Sequence, residues 1–339
     1  MAKETRTALL WKLCTVERLF IKKSLRKVLL SNYIKAMKEL AEERSDLLFS
    51  GLTSVHFNDF PDYDNVGDSA IALGTLSYLR ARNITLQAIE AIGTLSRKTL
   101  QTKTPVLLNG GGNIGGFWPV FDEHRYRLAR DLDEATPIIQ APQSLHFPTS
   151  SALKLFRDNF LRRPLVRIGV RDLEAERIVN GAADYVLAPD MVHHLGSIPS
   201  AVPTVRSVTL ARRDRESSSR TPSAGTVEWP KDGPLDFVQS QMRWQSKRLG
   251  PARSLLNPSV KSWESIAARR FGKGVSLIEP AETIVTDRLH AMLIGLQMGR
   301  RVIAVDNENR KLSKYADAWF GASQPDLKFA KSFQRINLN

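Results

Sequence analysis

Three features of the sequence predict an α/β fold built as two domains. Short apolar runs rich in Val and Ile alternate with amphipathic helical stretches along most of the chain. Several of these runs end in polar clusters, and the ends of strands are where doubly wound sheets place a ligand. A Gly/Pro/Ser-rich stretch over residues 196–204 (GSIPSAVPT) separates one set of such units from a second set that starts at Val205. A chain of 339 residues, 42% hydrophobic and 25% charged, suits two globular domains. The expected division is a helical segment over 1–45, a first domain over 46–199, a second over 200–325 and a tail over 326–339.

The composition narrows the function. The net charge of +14 points to an anionic partner: nucleic acid, a membrane surface or anionic substrates. Basic residues are spread rather than interleaved with aromatics, and no recognition motif is present, which argues against nucleic acid. Cys14 is the single cysteine, so a disulfide framework and a cysteine metal site are excluded. No apolar run approaches the ~20 residues of a membrane span and no signal peptide is evident, so a cytoplasmic protein is expected.

The first 45 residues carry Leu9, Leu13, Val16, Phe20 and Val28 at helical spacing, with Lys22, Lys23, Arg26 and Lys27 among them. Such a basic amphipathic helix suits either the inner face of an anionic bilayer or the protein's own core. Val55–Phe57 reads as the first strand, with His56 a core residue. It leads to Asn65-Val66-Gly67-Asp68, a turn that opens a helix with Ala70, Leu73, Leu76 and Leu79 facing inward. The turn suits a ligand site, or simply a helix capped by Asp68. Ile84–Ile92 is a second strand and Pro105–Leu108 a third.

The third strand empties into Asn109–Pro119, where five of the seven residues 110–116 are glycine. Glycine is costly to order, so such a loop is expected to bring backbone N–H groups close to a ligand. No GK[ST] follows, which excludes a nucleotide-triphosphate loop of that kind. Trp118 is a sugar-stacking platform or a core residue, and Phe121–Leu132 is a helix carrying His124. Thr136–Ile139 is a strand ending in Gln140–His146. Leu153–Leu161 is a helix, Val166–Val170 a strand delivering Arg171-Asp172, and Tyr185–Leu187 a strand delivering Asp190. His193-His194 suggest a metal, but adjacent residues on one element point in different directions.

In the second half, Val205–Leu210 is a strand, residues 212–225 form a serine-rich loop, and Pro234–Arg248 and Val260–Phe271 are helices. Val275–Ile278 and Thr283–Thr286 read as strands. Asp287–His290 then opens a helix ended by Gly299, Val302–Val305 is a strand and Leu312–Phe320 a helix. Arg288 and His290 thus fall on a first helical turn, where unpaired N–H groups favour an anion. The plainer reading has Asp287 capping, Arg288 solvated and His290 packed.

The NVGD turn (Asn65–Asp68), NGGGN loop (Asn109–Asn113), PQS (Pro142–Ser144), VRD (Val170–Asp172), APD (Ala188–Asp190) and TDRLHA (Thr286–Ala291) come in an order and spacing that resembles the polysaccharide pyruvyl transferase family, over about residues 50–320. Residues 212–260 carry none of these motifs. The resemblance implies two Rossmann-like domains facing a central cleft, as in GT-B glycosyltransferases. It implies transfer of pyruvate from phosphoenolpyruvate to a sugar of a surface polysaccharide or glycolipid precursor, often lipid-linked, as a ketal.

On that reading Arg171 and Arg288, with Leu289 and Asn65, hold phosphoenolpyruvate, His290 is the acid and Asp68 the base. Asn113, Trp118, His124, Gln143 and His146 face the acceptor. No metal and no cofactor beyond the donor substrate are expected. The competing reading is a glycosyltransferase of the same architecture using a nucleotide sugar.

Overall fold

The computed structural model describes residues 32–213, 225–246, 255–306, 310–321 and 325–336. The basic stretch before residue 32 and the loop over 214–224 lie outside the described residues. Helix α1 covers 32–48 and turns Tyr33, Met37, Ala41 and Leu48 into the core, so its described part docks on the protein itself.

The chain continues as β1 (Ser54–Asn58), α2 (Val66–Ala81), β2 (Thr85–Ile89), α3 (Arg97–Leu100), β3 (Val106–Leu108), β4 (Gly111–Ile114), α4 (Pro119–Asp131) and β5 (Ile138–Leu145). Next come α5 (Ser150–Phe156), β6 (Val166–Val170), α6 (Leu173–Val179), β7 (Asp184–Leu187) and β8 (Val205–Leu210). The rest is α7 (Pro234–Gln245), α8 (Val260–Ile278), β9 (Ala281–Thr286), α9 (Leu289–Gln297), β10 (Arg301–Val305), α10 (Lys311–Trp319) and β11 (Leu327–Ala330).

Two parallel sheets result. The first runs β2-β1-β3-β5-β6-β7, with β4 added alongside β5. The second runs β11-β10-β9-β8. Parallel strands joined by helices are covered on both faces, which explains the apolar runs of the inner strands β3, β6, β9 and β10, while the edge strands β2, β7, β8 and β11 are partly exposed.

Helix α2 joins the two cores. Val66 and Ala70 pack with Ile284, Met292 and Leu293 of the second sheet's layer. Ile71, Leu76 and Leu79 pack with Val55, Phe57 and Leu107 of the first. A helix apolar on both sides lies between layers rather than on a surface. Helix α8 bridges in the same way, with Trp263 and Ile266 in the first core and Ile278 in the second.

Three sequence expectations change. Val275–Ile278 is the last turn of α8, not a strand. Its apolar run looks extended in isolation, yet Trp263, Ala267, Arg270, Gly274 and Ile278 are buried at a helical interval. The strand expected to stop at Ile139 runs on to Leu145. Its register shifts between Gln140 and Gln143, and Pro142, which has no N–H to give, falls in that irregularity. The helix expected over Leu153–Leu161 is an α-helix to Phe156 followed by a π turn over Arg157–Leu161.

Candidate active site

The NVGD turn starts α2 directly after β1. Asn65, rather than Asp68, caps the helix, its Oδ1 accepting from Gly67 N at 2.9 Å and Asp68 N at 3.3 Å. Asp68 is thereby released for other contacts. Its Oδ2 accepts from Tyr63 Oη at 2.9 Å and Asn65 Nδ2 at 2.7 Å. Burial raises the Asp68 carboxyl above the ordinary range, against the opposing pull of His290 and the Tyr63 hydrogen bond.

Gly67 explains how the second sheet reaches this point. A methyl group on Gly67 would lie 2.2 Å from His290 Nδ1, so the imidazole occupies the space that a side chain would take. His290 stands in the first turn of α9, just beyond the end of β9. Arg288 is the N-cap residue of α9 and its side chain makes no capping hydrogen bond, while Thr286 Oγ1 accepts from Arg288 N at 3.0 Å. Asp287 does not cap. It is buried, and its Oδ1 accepts from Arg212 N at 2.8 Å. The start of α9 is therefore left open, with Arg288 held in place by Glu228.

From the first sheet, Arg171 follows β6 and is buried. Its Nε donates to Ser144 Oγ at 2.9 Å and its Nη1 to Asp190 Oδ2 at 2.5 Å. Asp190 also receives Val192 N and lies 3.2 Å from His290 Nε2. Burial by itself would raise the Asp190 carboxyl. His290, Arg171 and the Val192 N–H outweigh that and hold it well below the usual carboxylate range. An ionised carboxylate thus ties an arginine of one sheet to a histidine of the other.

Arg171, Arg288, Leu289, His290, Asp68 and Asn65 all line one cleft of about 560 Å³. Gly112 and Asn113 of the glycine loop line it as well. A methyl on Gly112 would sit 3.2 Å from Arg171 Nη2 and 3.3 Å from Lys311 Nζ, so two cations flank bare backbone. Electrostatically, this part of the cleft is prepared for a compact, multiply charged anion.

The expected acceptor residues divide. Asn113 and Trp118 line the cleft, and Trp118 is 41% exposed there. Gln143, His124 and His146 do not line it. Gln143 lies beneath, donating to Asn109 O and Asn113 Oδ1, both at 3.1 Å, and so orients Asn113. His124 is buried against Asn58 Oδ1 at 2.5 Å. His146 stacks on Phe117 with centroids 5.1 Å apart. His193 and His194 bond Tyr315 Oη and Ser45 Oγ, both at 2.8 Å, and burial pushes their imidazoles down to about 4 and about 3.

Sequence reasoning missed Lys311, the first residue of α10 beyond β10, and the part Asp190 plays beyond β7. The strand-end rule that selected Arg171 and Arg288 would have selected both. It also missed Phe237, Gln241 and Trp244 of α7, which line the cleft without a motif to announce them.

Two parallel sheets that bring a histidine, two arginines and a buried carboxylate to one cleft give the protein the acid–base and anion-binding groups of an enzyme active site. The sequence profile of the family described as "Polysaccharide pyruvyl transferase" matches residues 65–309. The chain belongs to that family and is a pyruvyl transferase. It is 27% identical to Pyruvyl transferase 1 of Schizosaccharomyces pombe over 80% of this chain and 71% of the relative. EpsO of Bacillus subtilis is 22% identical over 79% of this chain and 85% of its own. In fold, a functionally uncharacterised protein of Klebsiella pneumoniae superposes with a TM-score of 0.59 at 17% identity, covering 86% of this chain and 99% of that one. No helix among the described residues is long and apolar enough to cross a membrane.

Proposed function

We propose that the enzyme transfers pyruvate from phosphoenolpyruvate to two hydroxyls of one sugar in a polysaccharide or glycolipid precursor, forming a ketal and releasing phosphate. The observation that carries this reading is the meeting of Arg171, Arg288, His290 and Asp68 in one cleft between the sheets. On this reading the sheets belong to two Rossmann-like domains in the GT-B manner, and the basic segment over 1–31 offers an anionic membrane a contact beside a lipid-linked acceptor.

The donor is a phosphate and a carboxylate on a three-carbon frame. Arg171 and Arg288 are always charged and present forked donors, so each suits one of these groups. The open start of α9 adds main-chain N–H groups. His290 gives a proton to the methylene carbon, with Asp190 as the counter-charge for its protonated form. An acceptor hydroxyl attacks the neighbouring carbon, and its proton passes to Asp68. The C–O bond to phosphate then breaks, and a second hydroxyl of the same sugar closes the ketal and releases its proton.

Calorimetric titration of phosphoenolpyruvate into wild type and Arg288→Ala tests the donor. Binding by wild type that is lost in the variant is the expected result. Silence from wild type, with binding of a UDP- or CMP-linked sugar instead, would replace this reading with the nucleotide-sugar glycosyltransferase.

A further inference from the structure

Beyond its cationic part the cleft has a second chemistry, and Tyr63 marks the border. Its hydroxyl donates to Asp68, while its ring meets Phe121 at 5.7 Å, edge to face. On the Phe121 side the lining is aromatic: Trp118 and Phe121 at the start of α4, Phe237 and Trp244 from α7. Trp118 and Phe237 are 41% and 56% exposed, so two large aromatic side chains stand in water at the cleft. An apolar ligand face that covered them would be favoured in proportion to the area removed from water.

This part of the cleft carries little net charge. Of its acidic residues, Asp62 is paired with Arg243, Asp64 with Lys231 at 3.5 Å, and Asp232 with Arg270. A ligand recognised here is one that needs no ion pair. It has an apolar face and hydroxyls, for which the Gln241 amide supplies both donor and acceptor.

Helix α7 is also firmly held. The Asp62 carboxylate receives Arg243 Nε and Nη2, both at 2.7 Å, and Asp62 O receives Ser240 Oγ at 2.5 Å. The Arg243 guanidinium lies 5.1 Å from the Trp263 ring centroid, and Ser246 Oγ donates to Gly93 O at 3.2 Å. The Asp62 contacts join α7 to the loop after β1, three residues before the Asn65 cap, and the others join it to α8 and to the turn after β2. Wall and anion site are fixed to the same segment.

We infer that α7 is the acceptor wall of this enzyme. Phe237, Gln241 and Trp244, together with Trp118, take an uncharged hexose ring, its C–H face against the aromatic faces. That the ring then receives pyruvate rests on the proposed reaction. Binding of the ring does not.

The test uses the full chain and a panel of methyl glucosides, galactosides and mannosides. Binding is read by saturation-transfer NMR and transfer by phosphate release from phosphoenolpyruvate. At least one hexoside is expected to bind wild type. Phe237→Ala and Gln241→Ala should each raise its KM about tenfold and weaken its NMR response, with phosphoenolpyruvate affinity unchanged within twofold. Leu235→Ser, on the solvent side of α7, should change neither. An unchanged hexoside response in both α7 variants would overturn the inference, as would wild type binding no hexoside at all. Hexoside binding without phosphoenolpyruvate binding would leave α7 as a sugar wall and remove the donor instead.

Discussion

His290 Nε2 lies 3.2 Å from Asp190 Oδ2, and the two residues stand 100 positions apart on helical turns at the ends of different sheets. The same oxygen receives Arg171 Nη1. One buried carboxylate therefore sets both the proton-bearing ring and one of the two arginines. Asp190→Asn keeps the shape and removes the charge. It is expected to lower kcat about 100-fold and to weaken phosphoenolpyruvate binding at least tenfold, because a buried arginine left without its counter-charge costs several kcal/mol. Steady-state kinetics with calorimetry, at matched circular dichroism, would show it. Wild-type kcat and affinity in a folded variant would reduce Asp190 to a bystander.

Gly67→Ala tests the fit between α2 and α9. Alanine suits a helix better than glycine, so helix propensity predicts a gain of up to ~1 kcal/mol. Packing predicts the opposite, since the new methyl would meet His290 Nδ1 at 2.2 Å. The imidazole must move away from Asp190, and turnover should fall by about two orders of magnitude, as expected for a misplaced acid. A thermal melt close to wild type with lost activity is the signature. Full activity would mean that the ring position is not critical.

Lys311 carries a further expectation. Its ammonium and the Arg171 guanidinium flank Gly112, and both line the cleft. A charge-assisted hydrogen bond is worth about 1.5–3 kcal/mol. Lys311→Met should accordingly raise the KM for phosphoenolpyruvate about 10- to 100-fold while acceptor KM holds, and Lys311→Arg should recover part of the loss. A KM unchanged by Lys311→Met would place the anion elsewhere in the cleft.

Much of this site is legible because its signals are local. Arg171 and Arg288 each follow a short buried strand, and the apolar period that marks the strand also marks its end. The NVGD turn is read the same way, although the cap is Asn65 and not Asp68. What stays hidden depends on distant partners. Nothing near His124 or Gln143 in the sequence says that these side chains point inward, toward Asn58 and Asn113. Pro142 argues locally against a strand, and only the irregular pairing of β5 accommodates it. Val275–Ile278 is apolar enough for a strand because that face of α8 packs into a core made by other elements. The α7 wall has no signature because aromatic residues on a helix look the same whether they meet a core or a ligand.

The pH dependence of turnover follows from Asp68. Burial raises its carboxyl above the ordinary value, so as pH falls it takes up a proton sooner than a solvated aspartate would. A base is lost on protonation. The acid limb of kcat/KM should therefore have its midpoint above the ~3.9 of an unperturbed aspartate. The Tyr63 hydroxyl donates to Oδ2, which favours the ionised form and lowers the value. Tyr63→Phe removes that donor and leaves the ring against Phe121 in place. Its acid limb should move to still higher pH, because the hydrogen bond that favours the ionised carboxylate is gone, while the plateau rate changes little. A profile of kcat/KM from pH 4 to 9 for both proteins reads this directly. A limb that stays put, or moves to lower pH, would take the role of base away from Asp68.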